Sequence, residues 1–301
     1  MIKTVRIIGM GALGLMYGSY FQNYTDDISF LVDKERYQRY KTKTFHVNGE
    51  ARSFKIVTPD VVEPVDLIIV ATKANGLKQA IETLKSSVDG HTIIISLLNG
   101  VTSESLIAKQ YGEDHIVYCV AQGMDAMKFG DDLQYVHLGH LCIGITDSGD
   151  PDKLNTLTSF FDACKLPYKK EEDIMHRLYS KWMLNVGINQ TCMVFGCDYG
   201  QALAYGSMER LSFIAAMREA KLVAGYEGIK ITEEDLEAYV QLIGTLDPNN
   251  MPSMAQDRIN KKPSEIDLFA GTVLTLAKKH HIEVPVNEYL YEEVKKIEAG
   301  Y

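Results

Sequence analysis

A glycine-rich loop near the start of the chain constrains the fold more than any other feature. It consists of Gly9, Met10, Gly11, Ala12, Leu13 and Gly14. It follows an apolar run, Thr4–Gly9, that predicts a β-strand, and it opens a helical pattern over Ala12–Tyr24. The spacing G-x-G-x-x-G between a strand and a helix is typical of dinucleotide-binding units, whose pyrophosphate rests on the N-terminus of the helix. We therefore expect a dinucleotide here; the alternative is a glycine-rich turn without a ligand.

The first half of the chain alternates short apolar runs with helical patterns. Runs rich in β-branched residues occupy Ile28–Val32, Asp66–Ala71 and Thr92–Ser96, and amphipathic stretches occupy Gly76–Leu84 and Ser103–Tyr111. Continuous apolar strands that alternate with helices are typical of a parallel sheet buried on both faces. Further runs predict a β-rich annex and one more helix: His115–Gln122, Leu133–His137, His140–Ile145 and Pro151–Cys164.

After about Pro167 the pattern becomes helical. Five long stretches follow, separated by loop signals: Asp173–Phe195, Ser207–Tyr226, Thr232–Leu246, Glu265–His280 and Val286–Glu298. Ser264 followed by Asp267 predicts a capping box at the start of the fourth helix. The fold class we expect is an α/β Rossmann-type dinucleotide-binding domain over residues 1–168, followed by an all-α substrate-binding domain over residues 169–301.

Composition and charge exclude several classes of function. The 40 acidic and 31 basic residues give a net charge of −9, which does not favour nucleic acid, because non-specific binding there needs clustered Lys and Arg. The five cysteines include no C-x-x-C pair, so we expect neither a disulfide framework nor a metal site, but reduced thiols in the cytoplasm. No run of about 18 uninterrupted apolar residues is present, and we expect no membrane span.

The residue that selects the dinucleotide follows the second predicted strand. Asp33 lies 24 residues after Gly9, at a place where an acid usually accepts a hydrogen bond from the ribose 2′-hydroxyl and favours NAD. Lys34 and Arg36 follow at once, and either could hold the 2′-phosphate of NADP if Asp33 turns away. The residues themselves therefore leave NAD and NADP open.

Polar residues recur at every fourth position in the predicted helix Asp173–Phe195. Lys181, Asn185 and Asn189 line one face, because an α-helix has about 3.6 residues per turn, and the residues between them are apolar. Asparagine is a poor helix former, so two on one face need a reason. We expect this stripe to line a cleft between the domains, where Lys181 donates a proton to a carbonyl oxygen and the asparagines orient polar substrate groups. The alternative is a solvated stripe on a surface helix.

Five ordered motifs together resemble the ketopantoate reductase (2-dehydropantoate 2-reductase) family over essentially the whole chain. They are Gly9–Gly14, Ala71-Thr72-Lys73, Leu98-Asn99-Gly100, the Lys181/Asn185/Asn189 helix, and Ser253-Met254 with Gln256-Asp257 followed by Ser264-Glu265-Ile266-Asp267. The resemblance implies an oxidoreductase that reduces 2-dehydropantoate to (R)-pantoate in pantothenate and coenzyme A synthesis. It implies NADPH as the cofactor, with NADH as the alternative, a small 2-oxo acid as the substrate, and a homodimer as a possible assembly.

The resemblance also implies a role for each matching residue. The six loop residues bind the cofactor pyrophosphate, and Lys181 is the general acid. The resemblance adds Lys73, Asn99 and Glu265 as cofactor-binding residues. Asp33 and Lys34 join them because of their place after the second predicted strand. The substrate-binding residues are Asn99, Lys181, Asn185, Asn189 and Ser253. The structural alternatives are a solvated loop lysine for Lys73, a type I′ turn for Asn99-Gly100, a helix N-cap for Ser253 and a first-turn acid for Glu265.

The chain departs from the family pattern in three places. Members often carry an asparagine where this chain has Tyr199, an Asn-Gly where it has Ala270-Gly271, and a basic residue where it has Asp33. The first departure leaves the 2-oxo acid open, and the last leaves the preference for NADP open. Two alternatives follow. One is an NAD-dependent D-2-hydroxyacid dehydrogenase of the same fold, acting on a branched or aromatic 2-oxo acid. The other is a non-catalytic dinucleotide-binding module.

Overall fold

The structure, a computed structural model, describes residues 1–301 and divides into two compact units. The first unit comprises Met1–Leu98 and Thr102–Ile174, and the second comprises Asn99–Val101 and Met175–Tyr301. The predicted division at residue 168 lies a few residues before the end of the first unit. A division at one position also does not describe the segment Asn99–Val101. This segment packs with the second unit, although the chain on both sides of it belongs to the first.

Strands and helices alternate along the first unit. Its strands are β1 (Thr4–Ile8), β2 (Asp27–Leu31), β3 (Phe45–Val47), β4 (Glu50–Arg52), β5 (Lys55–Val57), β6 (Leu67–Val70), β7 (Ile93–Ser96), β8 (Tyr118–Met124), β9 (Met127–Phe129), β10 (Asp132–Gln134), β11 (Leu138–Gly144) and β12 (Tyr168–Lys170). Its helices are α1 (Ala12–Phe21), α2 (Lys34–Tyr40), α3 (Leu77–Thr83), α4 (Ser103–Tyr111) and α5 (Pro151–Ala163).

Five of these strands form a parallel sheet in the order β5-β2-β1-β6-β7. The chain order reverses between β1 and β6, so the segments that follow these two strands meet at the carboxyl edge of the sheet, where doubly wound folds bind their ligands. The remaining strands form two smaller sheets, β4-β3-β10-β9 and β12-β11-β8. The predicted Rossmann-type class and the β-rich annex are both confirmed.

The sheet is buried because its strands are apolar throughout. Every residue of β6 and β7 is buried, including Ser96, as continuous runs of Ile, Leu and Val predict for a parallel sheet. Phe21 of α1 packs against Phe160 and Phe161 of α5, with ring centroids 5.3 and 6.4 Å apart. The short helix α2 was not predicted, because its sequence KERYQRY buries no residue and has no apolar period.

The second unit is all-helical, as predicted. Its helices are α6 (Ile174–Phe195), α7 (Tyr199–Leu203), α8 (Met208–Tyr226), α9 (Glu233–Gly244), α10 (Ser253–Ile259), α11 (Ala270–His280) and α12 (Pro285–Glu298). The predicted starts at Ser207 and Thr232 are N-caps, and each side chain accepts a hydrogen bond from the third residue of its helix. No helix of the protein is both long and apolar enough to cross a lipid bilayer.

The predicted capping box at Ser264 and Asp267 is wrong. The Ser264 hydroxyl donates to Glu298 at 2.7 Å, and the Asp267 carboxylate accepts from Tyr291 and Lys295. The Ser264 oxygen accepts from the Ile266 backbone N–H at 3.3 Å and not from that of Asp267, and the Asp267 carboxylate is bound by long-range partners, so neither side chain makes its capping-box contact. The predicted helix Glu265–His280 is accordingly interrupted, since a single 3-10 turn covers Ile266–Leu268 and α11 begins only at Ala270.

A buried polar network fixes α6 within the helical unit. Asn287 of α12 is fully buried; its side-chain oxygen accepts from Gln190 of α6 at 2.6 Å. Its Nδ2 donates to the Glu219 carboxylate of α8 at 2.7 Å. Breaking such a network leaves buried polar groups without partners, which costs about 1–3 kcal/mol for each group. The network therefore gives α6 one defined position against two neighbouring helices.

Candidate active site

The glycine loop lies between β1 and α1, and two of its glycines are required by the backbone. Gly9 has a φ of +113°, and a Cβ there would lie 2.4 Å from the carbonyl oxygen of Ala71. A Cβ on Gly14 would lie 2.0 Å from the carbonyl oxygen of Gly9. Neither position has room for a side chain. Gly11 differs, because the nearest atom to its ideal Cβ is 3.9 Å away and the space there is open.

The first turn of α1 carries unused backbone donors. Its N-cap, Gly11, supplies no side-chain acceptor, and the turn holds no acidic residue. Unpaired N–H groups and the positive end of the helix dipole favour an anion. Just after β6, the hydroxyl oxygen of Thr72 is buried without a hydrogen-bond partner. These features fit a dinucleotide pyrophosphate. Three loop residues, Met10, Ala12 and Leu13, pack their side chains against the core of the unit and offer only backbone groups.

The groups that would select the dinucleotide lie around the start of α2. Asp33 is its N-cap and accepts a hydrogen bond from the backbone N–H of Arg36 at 2.7 Å. The Arg36 guanidinium also pairs with Asp33 at 3.3 Å, and Lys34 pairs with Asp60 at 2.8 Å. Both cations predicted as partners of a 2′-phosphate thus already have carboxylate partners. Lys73, by contrast, is exposed and makes no ion pair.

Lys181, Asn99 and Glu265 form a hydrogen-bonded row within the second unit. The Lys181 ammonium donates to Asn99 Oδ1 at 3.1 Å, and Asn99 Nδ2 donates to Glu265 Oε2 at 2.9 Å. An ammonium can only donate and a carboxylate can only accept, so these two neighbours set the orientation of the Asn99 amide. All three residues are half-buried. The row therefore holds a cation at a defined point, with its charge partly shielded from water.

Asn99 reaches this row because its segment packs with the helical unit. An ideal Cβ on the adjacent Gly100, whose φ is +94°, would lie 3.5 Å from Leu268 Cβ. Asn99 itself is not in the left-handed region, whereas a type I′ turn needs a positive φ at both central residues. The type I′ alternative is therefore excluded.

A second hydrogen-bonded row continues along the same face of α6. Asn189 donates to Asn185 Oδ1 at 3.3 Å and accepts from the Ser253 hydroxyl at 3.1 Å and the Met254 backbone N–H at 3.2 Å. Asn189 is only 5% exposed, so a fully solvated stripe is excluded. The Asn185 amide nitrogen makes no bond within the protein and is half-exposed, which leaves it available to an acceptor. Ser253 is the first residue of α10 and not its N-cap, which is Pro252. The predicted cleft around this stripe stays a prediction.

Trp182 supports the first row, although no pattern in the sequence pointed to it. Its indole is 1% exposed, and its N–H donates to the carbonyl oxygen of Leu268 at 3.0 Å. Leu268 ends the 3-10 turn that directly follows Glu265. The one sign of this role in the sequence was that the single tryptophan adjoins Lys181. Its hydrogen-bond partner, 86 residues away, is seen only in the fold.

Tyr199, which stands where the family often has asparagine, begins α7. Its backbone N–H donates to the carbonyl oxygen of Asn250 at 3.0 Å, in the loop that leads to Ser253. Burial, with a smaller effect from the nearby Cys192 thiol, raises the pKa of Tyr199 to about 12. The phenol is therefore a neutral, half-buried group, and it is bulkier than an asparagine.

Known protein families match both halves of the chain. A family model described as "Ketopantoate reductase PanE/ApbA" matches residues 5–143, and one described as "Ketopantoate reductase PanE/ApbA C terminal" matches residues 173–298. A 2-dehydropantoate 2-reductase of Streptococcus pyogenes serotype M6 is 26% identical over 98% of this chain and 98% of its own length.

Solved structures share the fold over the full length. A D-mandelate dehydrogenase with NADH and anilino(oxo)acetate superposes with a TM-score of 0.85 at 23% identity, over 99% of this chain and 98% of that one. A ketopantoate reductase from Staphylococcus aureus, described as dimeric, has a TM-score of 0.79 at 19% identity, over 99% of both chains. Together with the two family models, which cover most of both units, these matches agree with the predicted oxidoreductase. The chain belongs to the ketopantoate reductase family.

Proposed function

We propose that this protein reduces 2-dehydropantoate to (R)-pantoate with a reduced nicotinamide dinucleotide. The observation that carries the proposal is the row of Lys181, Asn99 and Glu265, which holds an ammonium among neutral and acidic hydrogen-bonding groups. A structural surface lysine has no need of an amide oriented by a carboxylate 166 residues away. A non-catalytic binding module would need only the glycine loop, so this row argues against it.

The residues present fit the cofactor that this reaction needs. The backbone of Gly9–Gly14 would hold the pyrophosphate at the start of α1, with Thr72 beside it, and the exposed Lys73 would face the ribose. When bound, the reduced nicotinamide supplies the hydride that reduces C2 of the 2-oxo acid.

The chain's own residues act on the substrate oxygen. As C2 is reduced, negative charge grows on the carbonyl oxygen, and the Lys181 ammonium stabilises that charge and donates a proton to it. Asn99 Oδ1 accepts a hydrogen bond from the ammonium at 3.1 Å and so limits the motion of the Lys181 side chain. Glu265, by binding the Asn99 amide, keeps the acceptor oxygen turned toward Lys181.

The substrate carboxylate has donors on the same helix face. Asn185 Nδ2 has no partner within the protein, and the Ser253 hydroxyl can rotate from Asn189 toward an added acceptor. Asn189 links these two donors, because it donates to Asn185 and accepts from the Ser253 hydroxyl and the Met254 backbone N–H. Residues 181 and 185 are about 6 Å apart along the axis of α6. A small 2-oxo acid whose carboxylate binds at Asn185 can therefore direct its adjacent carbonyl oxygen toward Lys181.

A panel of substrates tests the proposal. We expect kcat/KM for 2-dehydropantoate to exceed the values for 2-oxoisocaproate and phenylglyoxylate by about tenfold or more. Initial rates with each acid at saturating cofactor provide the measurement. A preference for phenylglyoxylate would instead identify an aromatic D-2-hydroxyacid dehydrogenase of this fold, the alternative that Tyr199 in place of the family's asparagine favours. No turnover of any 2-oxo acid would contradict both.

For the cofactor we propose a preference for NADH over NADPH. Lys34 and Arg36 are both ion-paired, and the Asp33 carboxylate retains lone pairs for a ribose hydroxyl. A 2′-phosphate brought to this site would meet the charge of Asp33, and like charges at close range cost several kcal/mol.

The substitution Asp33→Asn isolates that charge. Asparagine caps a helix as well as aspartate does, so α2 should stay intact while kcat/KM for NADPH rises by about tenfold relative to NADH. The matched control is Asp27→Asn, which removes an ion-paired acid at the start of β2, the strand that precedes Asp33; it should leave the ratio unchanged. Equal use of the two cofactors by the parent protein would overturn the assignment.

A homodimer stays a prediction. Four exposed apolar side chains follow one face of α8, namely Met208, Leu211, Leu222 and Tyr226. Such a face is typical of a surface that packs against another helix. A second copy of this chain is the partner that we propose for it, in line with the dimeric relative.

A further inference from the structure

We propose that Arg258 is a positioning residue for the substrate, acting through the short helix α10; this rests on the proposed function. Arg258 lies in the last turn of α10, and the first residue of that helix, Ser253, is a proposed substrate ligand. The Arg258 guanidinium donates from one nitrogen to the carbonyl oxygens of Met193 at 2.6 Å and Val194 at 2.8 Å. Nothing in the linear sequence marks this arginine, because its partners are 64 and 65 residues away.

The acceptors of Arg258 are unused groups at the end of α6. That helix ends at Phe195, so the carbonyls of Met193 and Val194 lie in its last turn, where no further backbone N–H can reach them. The last turn also carries the negative end of the helix dipole, which attracts a cation. Arg258 is half-buried against this end, and the neighbouring Gly196 leaves room for it, since a Cβ there would lie 3.3 Å from the guanidinium. The contact is thus a charged cap on α6 supplied by α10.

Helix α10 is attached to α6 at both of its ends, and the two attachment points occur in the same order along each helix. Its first turn, at Ser253 and Met254, binds Asn189 of α6, and its last turn, at Arg258, binds the carbonyls four and five residues further along α6. At about 1.5 Å per residue, both spacings are about 6–8 Å. One attachment alone would let α10 rotate about Asn189. The second removes that freedom and so sets the direction of the Ser253 hydroxyl.

This arrangement gives Arg258 a role in substrate affinity without contact to the substrate. Loss of the guanidinium leaves α10 held by the buried Met254 and Ala255 and by its bonds to Asn189. Ser253 then presents its hydroxyl over a wider range of directions, which weakens the binding of the 2-oxo acid. Lys181 and the glycine loop make no bond to Arg258, so the proton transfer and the affinity for the dinucleotide should persist.

The test compares Arg258→Met with Arg258→Lys and with a matched control. The control is Arg210→Met, because Arg210 donates to the carbonyl of Leu203 at the end of α7 and is likewise half-buried in the same unit. We expect Arg258→Met to raise KM for the 2-oxo acid about tenfold, the worth of one charged hydrogen bond, with kcat and KM for the dinucleotide nearly unchanged. Arg258→Lys should recover part of the loss, and Arg210→Met should show none.

Two further measurements separate positioning from general destabilisation. If Arg258 acts through Ser253, adding Arg258→Met to Ser253→Ala should raise KM no further than Ser253→Ala alone. Amide hydrogen exchange on the ligand-free protein should accelerate in residues 253–259 in Arg258→Met and not in Arg210→Met. The exchange test needs no substrate, so it still shows whether Arg258 holds α10 in place if the parent protein reduces no 2-oxo acid. Additive effects on KM, an equal loss in all kinetic constants, or unchanged exchange in α10 would overturn the proposal.

Discussion

Replacing Lys181 by alanine is expected to lower kcat for 2-oxo acid reduction by about 10²–10⁴-fold, the usual contribution of one positioned proton donor. The reason is geometric: Asn99 holds the ammonium at 3.1 Å, and alanine leaves no group that can carry the proton to the new alkoxide. Initial-rate kinetics at saturating substrate and cofactor provide the measurement. Binding of the reduced dinucleotide, followed by fluorescence titration, should change little because Lys181 is not part of the glycine loop.

The control for Lys181→Ala is Lys221→Ala. Lys221 is also half-buried in the helical unit, where it pairs with Glu233 at 2.7 Å, but it has no bond to the proposed site. Its loss should leave kcat within about twofold, because a single ion pair of this kind contributes little. Normal turnover by Lys181→Ala would contradict the assignment of the general acid. A rise in KM alone would instead make Lys181 a substrate-binding cation.

The glycine loop should respond very differently to alanine at two of its positions. Gly14→Ala places a Cβ 2.0 Å from the carbonyl oxygen of Gly9, so the loop or α1 must shift. We expect the free energy of unfolding to fall by about 1–3 kcal/mol, as for other overpacked sites. Affinity for the dinucleotide should fall by about 100-fold or more, because a shifted loop no longer directs its amides at one point.

Gly11→Ala is the matched variant, which we expect to weaken dinucleotide binding while it leaves the free energy of unfolding nearly unchanged. Its Cβ would meet only one atom, at 3.9 Å, and Gly11 has an ordinary φ of −77°. The free energy of unfolding should therefore stay within about 0.5 kcal/mol of the parent value, while the Cβ occupies the space proposed for the pyrophosphate and weakens binding. Urea denaturation and dinucleotide titration of both variants give the comparison. Undiminished binding by Gly11→Ala would show that the pyrophosphate does not lie against this loop.

The features that could be predicted from the sequence are those whose cause is local. Gly9, Gly11 and Gly14 stand out because a strand-to-helix turn requires glycine at fixed offsets. The stripe of Lys181, Asn185 and Asn189 stands out because helical periodicity places every fourth residue on one face. The buried strands of the parallel sheet could also be predicted locally, because each is a continuous apolar run.

The tertiary structure decided which of these features meet. Asn99 joins Lys181 and Glu265 only because residues 99–101 pack with the helical unit, across separations of 82 and 166 positions. The cap that Arg258 places on α6 and the partners that displaced the predicted capping box at Ser264 are likewise long-range. The glycine loop and the polar stripe are thus properties of the sequence, because backbone geometry acts within a few residues. The oriented amide beside Lys181 is a property of the fold, because hydrogen bonds between distant segments depend on packing that no local pattern encodes.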